Sequence, residues 1–92
     1  METRKLFKIH VTGRVQGVGF RWSAVREARS LGITGYVKNQ SGGNVYIEAE
    51  GSLAQLERFV GWCRIGPGIG HVDSVNITEY PPAGYTDFLI EH

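Results

Sequence analysis

The chain has 92 residues, 10 basic against 9 acidic side chains for a formal net charge of +1, and a single cysteine. That length holds one hydrophobic core, so residues 1–92 are expected to form a single domain, and the charge balance gives no field for wrapping nucleic acid or coating an anionic membrane. One cysteine excludes an internal disulfide and a cysteine-rich zinc site; no apolar run nears the ~20 residues of a membrane helix, and METRKLFK lacks a signal-peptide core, so a cytoplasmic protein is expected.

Lys5 to Thr12, KLFKIHVT, alternates with Phe7, Ile9 and Val11 on one side, which predicts a half-buried strand with His10 on its other face. After a glycine-rich stretch, Phe20, Ala24, Ala28 and Leu31 recur at helical spacing, and Gly32 is a natural stop. Ile33, Val37 and Asn39 are in phase along a second strand; NQSGG supplies turn formers, and Val45, Ile47 and Ala49 carry a third strand, so the pair reads as a β-hairpin. Ser52 and Gln55 frame a capping box that opens a second helix with an apolar stripe of Leu53, Leu56, Phe59, Val60 and Cys63, ended by IGPGIG. Val75 and Ile77 mark a fourth strand, Pro81 to Gly84 is expected to turn the chain, and DFLIE is a short last strand with Phe88 and Ile90. Trp22 and Trp62 read as packing residues. The order predicts an α+β, ferredoxin-like βαββαβ sandwich: an antiparallel sheet of four to five strands with two helices on one face.

The stretch between the first strand and the first helix, GRVQGVGFR (Gly13 to Arg21), breaks the usual rules for starting a helix. The first turn of a helix leaves backbone N–H groups unpaired, and a Ser, Thr, Asp or Asn side chain commonly caps them. None of those residues lies between Gly13 and Phe20, and no acidic side chain appears before Glu27. Arg14 and Arg21 flank the turn instead, where each cation opposes the helix dipole by about 0.3–1 kcal/mol. A bound anion resolves both anomalies, and Gly17 and Gly19 let successive N–H groups point into one concavity. Neither GxxxxGK[ST] nor GxGxxG is present, so the site is expected to hold a small phosphate group and not a nucleotide.

GRVQGVGFR, followed by LGITGYVKN and GPGIGHV, closely resembles the acylphosphatase family, and the likeness runs from the first strand to FLIEH. The resemblance implies that successive backbone N–H groups of Gln16, Gly17, Val18, Gly19, Phe20 and Arg21 bind the phosphate of an acyl phosphate. It also implies that the Arg21 guanidinium clamps the phosphoryl oxygens and that Asn39 positions the attacking water, with no metal and no organic cofactor. On turn preference alone, Asn39 reads as a hairpin residue. GPGIG departs from the usual family loop, with Gly68 and Gly70 expected to loosen it, and Arg14 is expected to face solvent.

The chemistry agrees with this inventory. The leaving carboxylate has a conjugate-acid pKa near ~4, so it departs unprotonated and needs no general acid. What remains is to hold the phosphoryl group, spread its charge and aim a water. A planar guanidinium suits the first two tasks, and a neutral amide that both accepts and donates suits the third. His10, His71 and His92 have no Ser, Cys or Asp companion at a recognisable spacing, and Cys63 reads as core. The expected partner is a small acyl phosphate, with broad tolerance of the acyl group; no nucleic acid or membrane partner is expected, and a monomer is the default. Two other readings were weighed. A non-hydrolytic phosphate or carbamoyl-phosphate binding domain is one, since similar domains open larger hydrogenase-maturation proteins. An RNA-binding module of the same strand order was set aside because KLFKIHVT and NVYIEAE lack its aromatic-rich motif.

Overall fold

The computed structural model describes residues 3–92. Its elements are β1 (Arg4–Arg14), α1 (Phe20–Leu31), β2 (Thr34–Asn39), β3 (Val45–Ser52), α2 (Leu53–Ile65), β4 (His71–Tyr80) and β5 (Phe88–Glu91). The strands form one sheet in the order β4-β1-β3-β2-β5. The four strands β4, β1, β3 and β2 are antiparallel as expected, whereas β5 joins β2 in parallel, Val37 opposite Ile90.

The inner face carries Ile9, Val11, Val37, Val45, Ile47 and Ala49, all fully buried, and both helices lie on it. From α1 come Phe20, Ala24, Val25 and Ala28; from α2 come Leu56, Phe59, Val60 and Cys63. Phe59 meets Phe88 edge-on at 5.9 Å, and Trp62 packs against Phe20 at 5.2 Å, so Trp62 is the packing residue its position predicted. Aromatic pairs of this kind contribute about 0.5–1.5 kcal/mol beyond the area they bury. Leu53 departs from the expected stripe: it is the first helical residue, lies beyond the sheet and is exposed. Ile77, on the edge strand β4, lies at the border of exposure.

Local chemistry explains the helix ends. Ser52 Oγ accepts from the Gln55 N–H at 3.2 Å, and Gln55 Oε1 accepts from the Ser52 N–H at 2.9 Å, completing the capping box. α1 closes on Gly32, whose φ of 76° lets its N–H reach the Arg29 carbonyl while the Ile33 N–H reaches that of Ala28. A register shift between Thr12 and Gly13 interrupts the pairing of β1 with β4 just before the glycine-rich turn.

Two features of the outer face differ from expectation. Pro81–Gly84 does not make a tight turn. β4 and β5 lie at opposite edges, so the seven residues between them must cross four strand spacings, about 19 Å, leaving the segment nearly extended. Glu50, on the face opposite Ala49, is buried beneath this strap; its Oε1 accepts from the N–H groups of Ala83 and Gly84, both at 2.9 Å. Burial alone would raise the Glu50 carboxyl pKa, but these N–H groups and the nearby Arg4 outweigh it and hold the pKa below the usual value. The outer face is also more aromatic than sequence phase indicated: Tyr36, Tyr46 and Tyr85 cluster there, with the Tyr46 and Tyr85 hydroxyls each donating to Glu48 at 2.6 Å. Burial and that carboxylate push Tyr36 up to about 12.

Candidate active site

The turn from Val15 to Gly19 runs off the end of β1 and into α1. Gly17 and Gly19 have φ of 73° and 80°, the left-handed conformation that side-chain-bearing residues avoid. Gly19 is the N-cap of α1; it makes no side-chain cap bond, and the first turn of the helix holds no acidic residue. The bond that closes the turn onto the helix is Ser23 N–H to the Gly19 carbonyl at 3.0 Å. Among the described residues, no side chain caps the start of α1, and none of the backbone bonds outside the regular elements takes an N–H from Gln16 to Gly19. A row of free donors at the positive end of a helix dipole is a ready seat for an anion.

A cleft of about 220 Å³ opens over this turn. It is lined by Val15, Gly17, Gly19, Phe20, Arg21 and Trp22, and across from them by Asn39, Ile90 and His92. The fold therefore brings Gly17, Gly19, Phe20, Arg21 and Asn39 to one cleft, although Arg21 and Asn39 are 18 residues apart in sequence. Asn39 is the last residue of β2, paired with Val45 in the ladder, and the hairpin turn itself begins at Gln40. The Arg21 guanidinium is partly exposed and lies 3.4 Å from the Glu91 carbonyl, so β5 steers it from below.

Gln16 and Val18 do not line the cleft. The Gln16 side chain turns away and donates through Nε2 to the carbonyls of Gln40 and Asn44, at 2.7 and 2.8 Å. This ties the glycine turn to the hairpin that carries Asn39. The half-buried Val18 packs on the core. A Cβ added at Gly70 would lie 3.1 Å from a Val18 methyl carbon, so the GPGIG loop is braced against the glycine turn. Arg14, expected to face solvent only, is exposed but donates to the Ile69 carbonyl at 3.1 Å, a second brace on the same loop.

The other candidate groups separate cleanly. Cys63 is fully buried and burial pushes its thiol pKa up, which removes it as a nucleophile. His10 is exposed on the outer face beside Tyr46, and His71 pairs with Asp73 at 3.1 Å; neither lines the cleft. His92, by contrast, lies in the lining beside Arg21, which its position in the sequence did not reveal. Trp22 overturns the packing expectation: its side chain is 66% exposed and stands at the cleft. Among the described residues, no group of three or more His, Cys, Asp or Glu side chains is placed to hold a metal ion, and no helix is long and apolar enough to cross a membrane.

The acylphosphatase family model matches residues 7–90, which includes the glycine turn, Arg21 and Asn39. The chain belongs to the acylphosphatase family. It is 47% identical over 88 residues to the acylphosphatase of Thermotoga maritima, covering 96% of this chain and 98% of that one. Its fold is similar to the crystal structure of acylphosphatase from Bacillus subtilis, with a TM-score of 0.93, 37% identity and coverage of 96% and 99% of the two chains. An acylphosphatase from Coxiella burnetii is similar at a TM-score of 0.93 and 35% identity, covering 97% and 94%. The activity that accompanies this membership is hydrolysis of acyl phosphates to a carboxylate and inorganic phosphate. The low leaving-group pKa noted above is why so small a site, with no Ser, Cys, Asp or Glu among the described residues of its lining, suffices for an acylphosphatase.

Proposed function

We propose that the backbone N–H groups from Gln16 to Arg21, together with the Arg21 guanidinium, hold the phosphoryl group, and that Asn39 orients the water that attacks it. The observation that carries this reading is the convergence of the uncapped start of α1, at Gly17, Gly19 and Phe20, with Arg21 and Asn39 on one cleft. Water attacks phosphorus, the bond from phosphorus to the acyl oxygen breaks, and that oxygen leaves as carboxylate. Negative charge spreads over the phosphoryl oxygens as this happens, where the N–H row, the α1 dipole and Arg21 are already aimed. The Asn39 amide accepts one hydrogen bond from the water and so fixes its direction of approach. The water's proton passes to the phosphate product or to solvent. The reaction proceeds without a metal ion, on a single-domain monomer in the cytoplasm.

The test is hydrolysis of benzoyl phosphate at neutral pH with EDTA present, for the parent, Arg21→Gln and Asn39→Ala. Turnover that survives the chelator and falls at least a hundredfold in both variants, with circular dichroism unchanged, supports the assignment. Turnover that needs a divalent ion, or a variant that keeps parental rates, overturns it. Binding of phosphate without any turnover by the parent favours the non-hydrolytic alternative.

A further inference from the structure

We propose that Trp22 sets specificity for the acyl half of the substrate, favouring acyl groups with an aromatic or apolar body. This inference rests on the assignment of the Gln16–Arg21 turn to the phosphoryl group. Trp22 does not serve the core: the buried stripe of α1 is Phe20, Ala24, Val25 and Ala28, and Trp22 falls on the opposite side of the helix. Among the described residues it has no aromatic partner, whereas Trp62 packs against both Phe20 and Phe59. Yet it is the residue directly after Arg21, it is largely exposed, and it lines the same cleft. A large indole left in water beside a polar site is surface available for a ligand.

An acyl phosphate has two unlike ends. The phosphoryl end takes the N–H row and the guanidinium, and the acyl end must leave that turn along the cleft wall. The apolar part of the wall not already sealed in the core is Trp22 together with half-buried Ile90. A benzoyl ring can stack on or meet the indole edge-on, and an acetyl group is too small to cover it. Partial burial of one indole face translates to about tenfold in affinity.

The experiment compares kcat/KM for benzoyl and acetyl phosphate in the parent, Trp22→Ala and Trp22→Phe, with inorganic phosphate as competitive inhibitor. In Trp22→Ala the benzoyl-over-acetyl ratio is expected to fall about tenfold, through KM for benzoyl phosphate, and Trp22→Phe is expected to restore most of it. The Ki for inorganic phosphate is expected to stay within twofold of the parent. A ratio that does not move, or equal losses on both substrates, overturns the role of Trp22 and leaves the phosphate assignment standing. Absence of competitive inhibition by phosphate in the parent overturns the phosphate assignment, and this inference with it.

Discussion

Gln16 offers the sharpest test of how the site is assembled, because its side chain joins the two halves of the cleft without entering it. Gln16→Met keeps length and volume but removes both hydrogen bonds to the hairpin, those to the carbonyls of Gln40 and Asn44 at 2.7 and 2.8 Å. The Asn44 carbonyl keeps a partner, since it also accepts from the Gln40 N–H at 2.8 Å. The Gln40 carbonyl falls back on water in a partly exposed turn. Two neutral hydrogen bonds contribute about 1 kcal/mol each, so the expected loss of stability is about 1–2 kcal/mol. For a domain of this size that lowers Tm by roughly 4–15 °C. The effect on rate follows from geometry: Asn39 directly precedes Gln40, and a misplacement near 1 Å can lower a rate about a hundredfold. A kcat lower by about tenfold is expected, with the Ki of inorganic phosphate changed less than threefold, because the N–H row stays in place. Steady-state kinetics with benzoyl phosphate and thermal melts by circular dichroism measure both. A Tm that falls as expected while kcat stays within twofold of the parent would refute the claim that this bridge positions Asn39.

Four further outcomes are expected. Glu50→Ala removes a buried carboxylate from two N–H groups of the strap and should lower stability by about 2–4 kcal/mol, read by chemical denaturation, with kcat unaffected because Glu50 lies at the far end of β3 from the hairpin. Since the folded pKa of Glu50 lies below its unfolded value, its contribution is present above the unfolded pKa of about 4.3 and is lost as pH falls through the folded pKa, so Glu50→Gln should flatten the acid limb of a Tm-against-pH curve; an identical limb would count against this. In Gly35→Ala, the new Cβ would lie 1.9 Å from the Glu48 carbonyl oxygen at a φ of 139°, so β2 must move away from β3; a loss of about 3 kcal/mol or more is expected, and a Tm within 2 °C of the parent would show that the strands absorb it. Inorganic phosphate at about 100 times its Kd should stabilise the parent by about 2.7 kcal/mol and Arg21→Gln far less; equal stabilisation of both would place the anion elsewhere.

Periodicity alone determined the element order, both helix stripes from Phe20 and Leu56 onward, and the capping box at Ser52, because each depends on residues a few positions apart. The unusual start of α1 was equally legible: glycines and arginines stood where a cap and an acid belong, and Gly19 is in fact the N-cap, with no side-chain cap bond. Phase also bears on Trp22, which sits two positions off the Phe20–Ala24–Ala28 stripe and so points outward.

Tertiary structure decided what sequence spacing cannot carry. The parallel pairing of β5 with β2 sends the chain from one sheet edge to the other, and that single topological fact turns Pro81–Gly84 into a strap, buries Glu50 and brings Ile90 and His92 to the cleft. The Gln16 bridge has the same origin, as its acceptors lie 24 and 28 residues away. Hydrogen-bond partners and cleft walls depend on which distant segments meet, and that is fixed by burial of the whole apolar face at once, not by any local pattern.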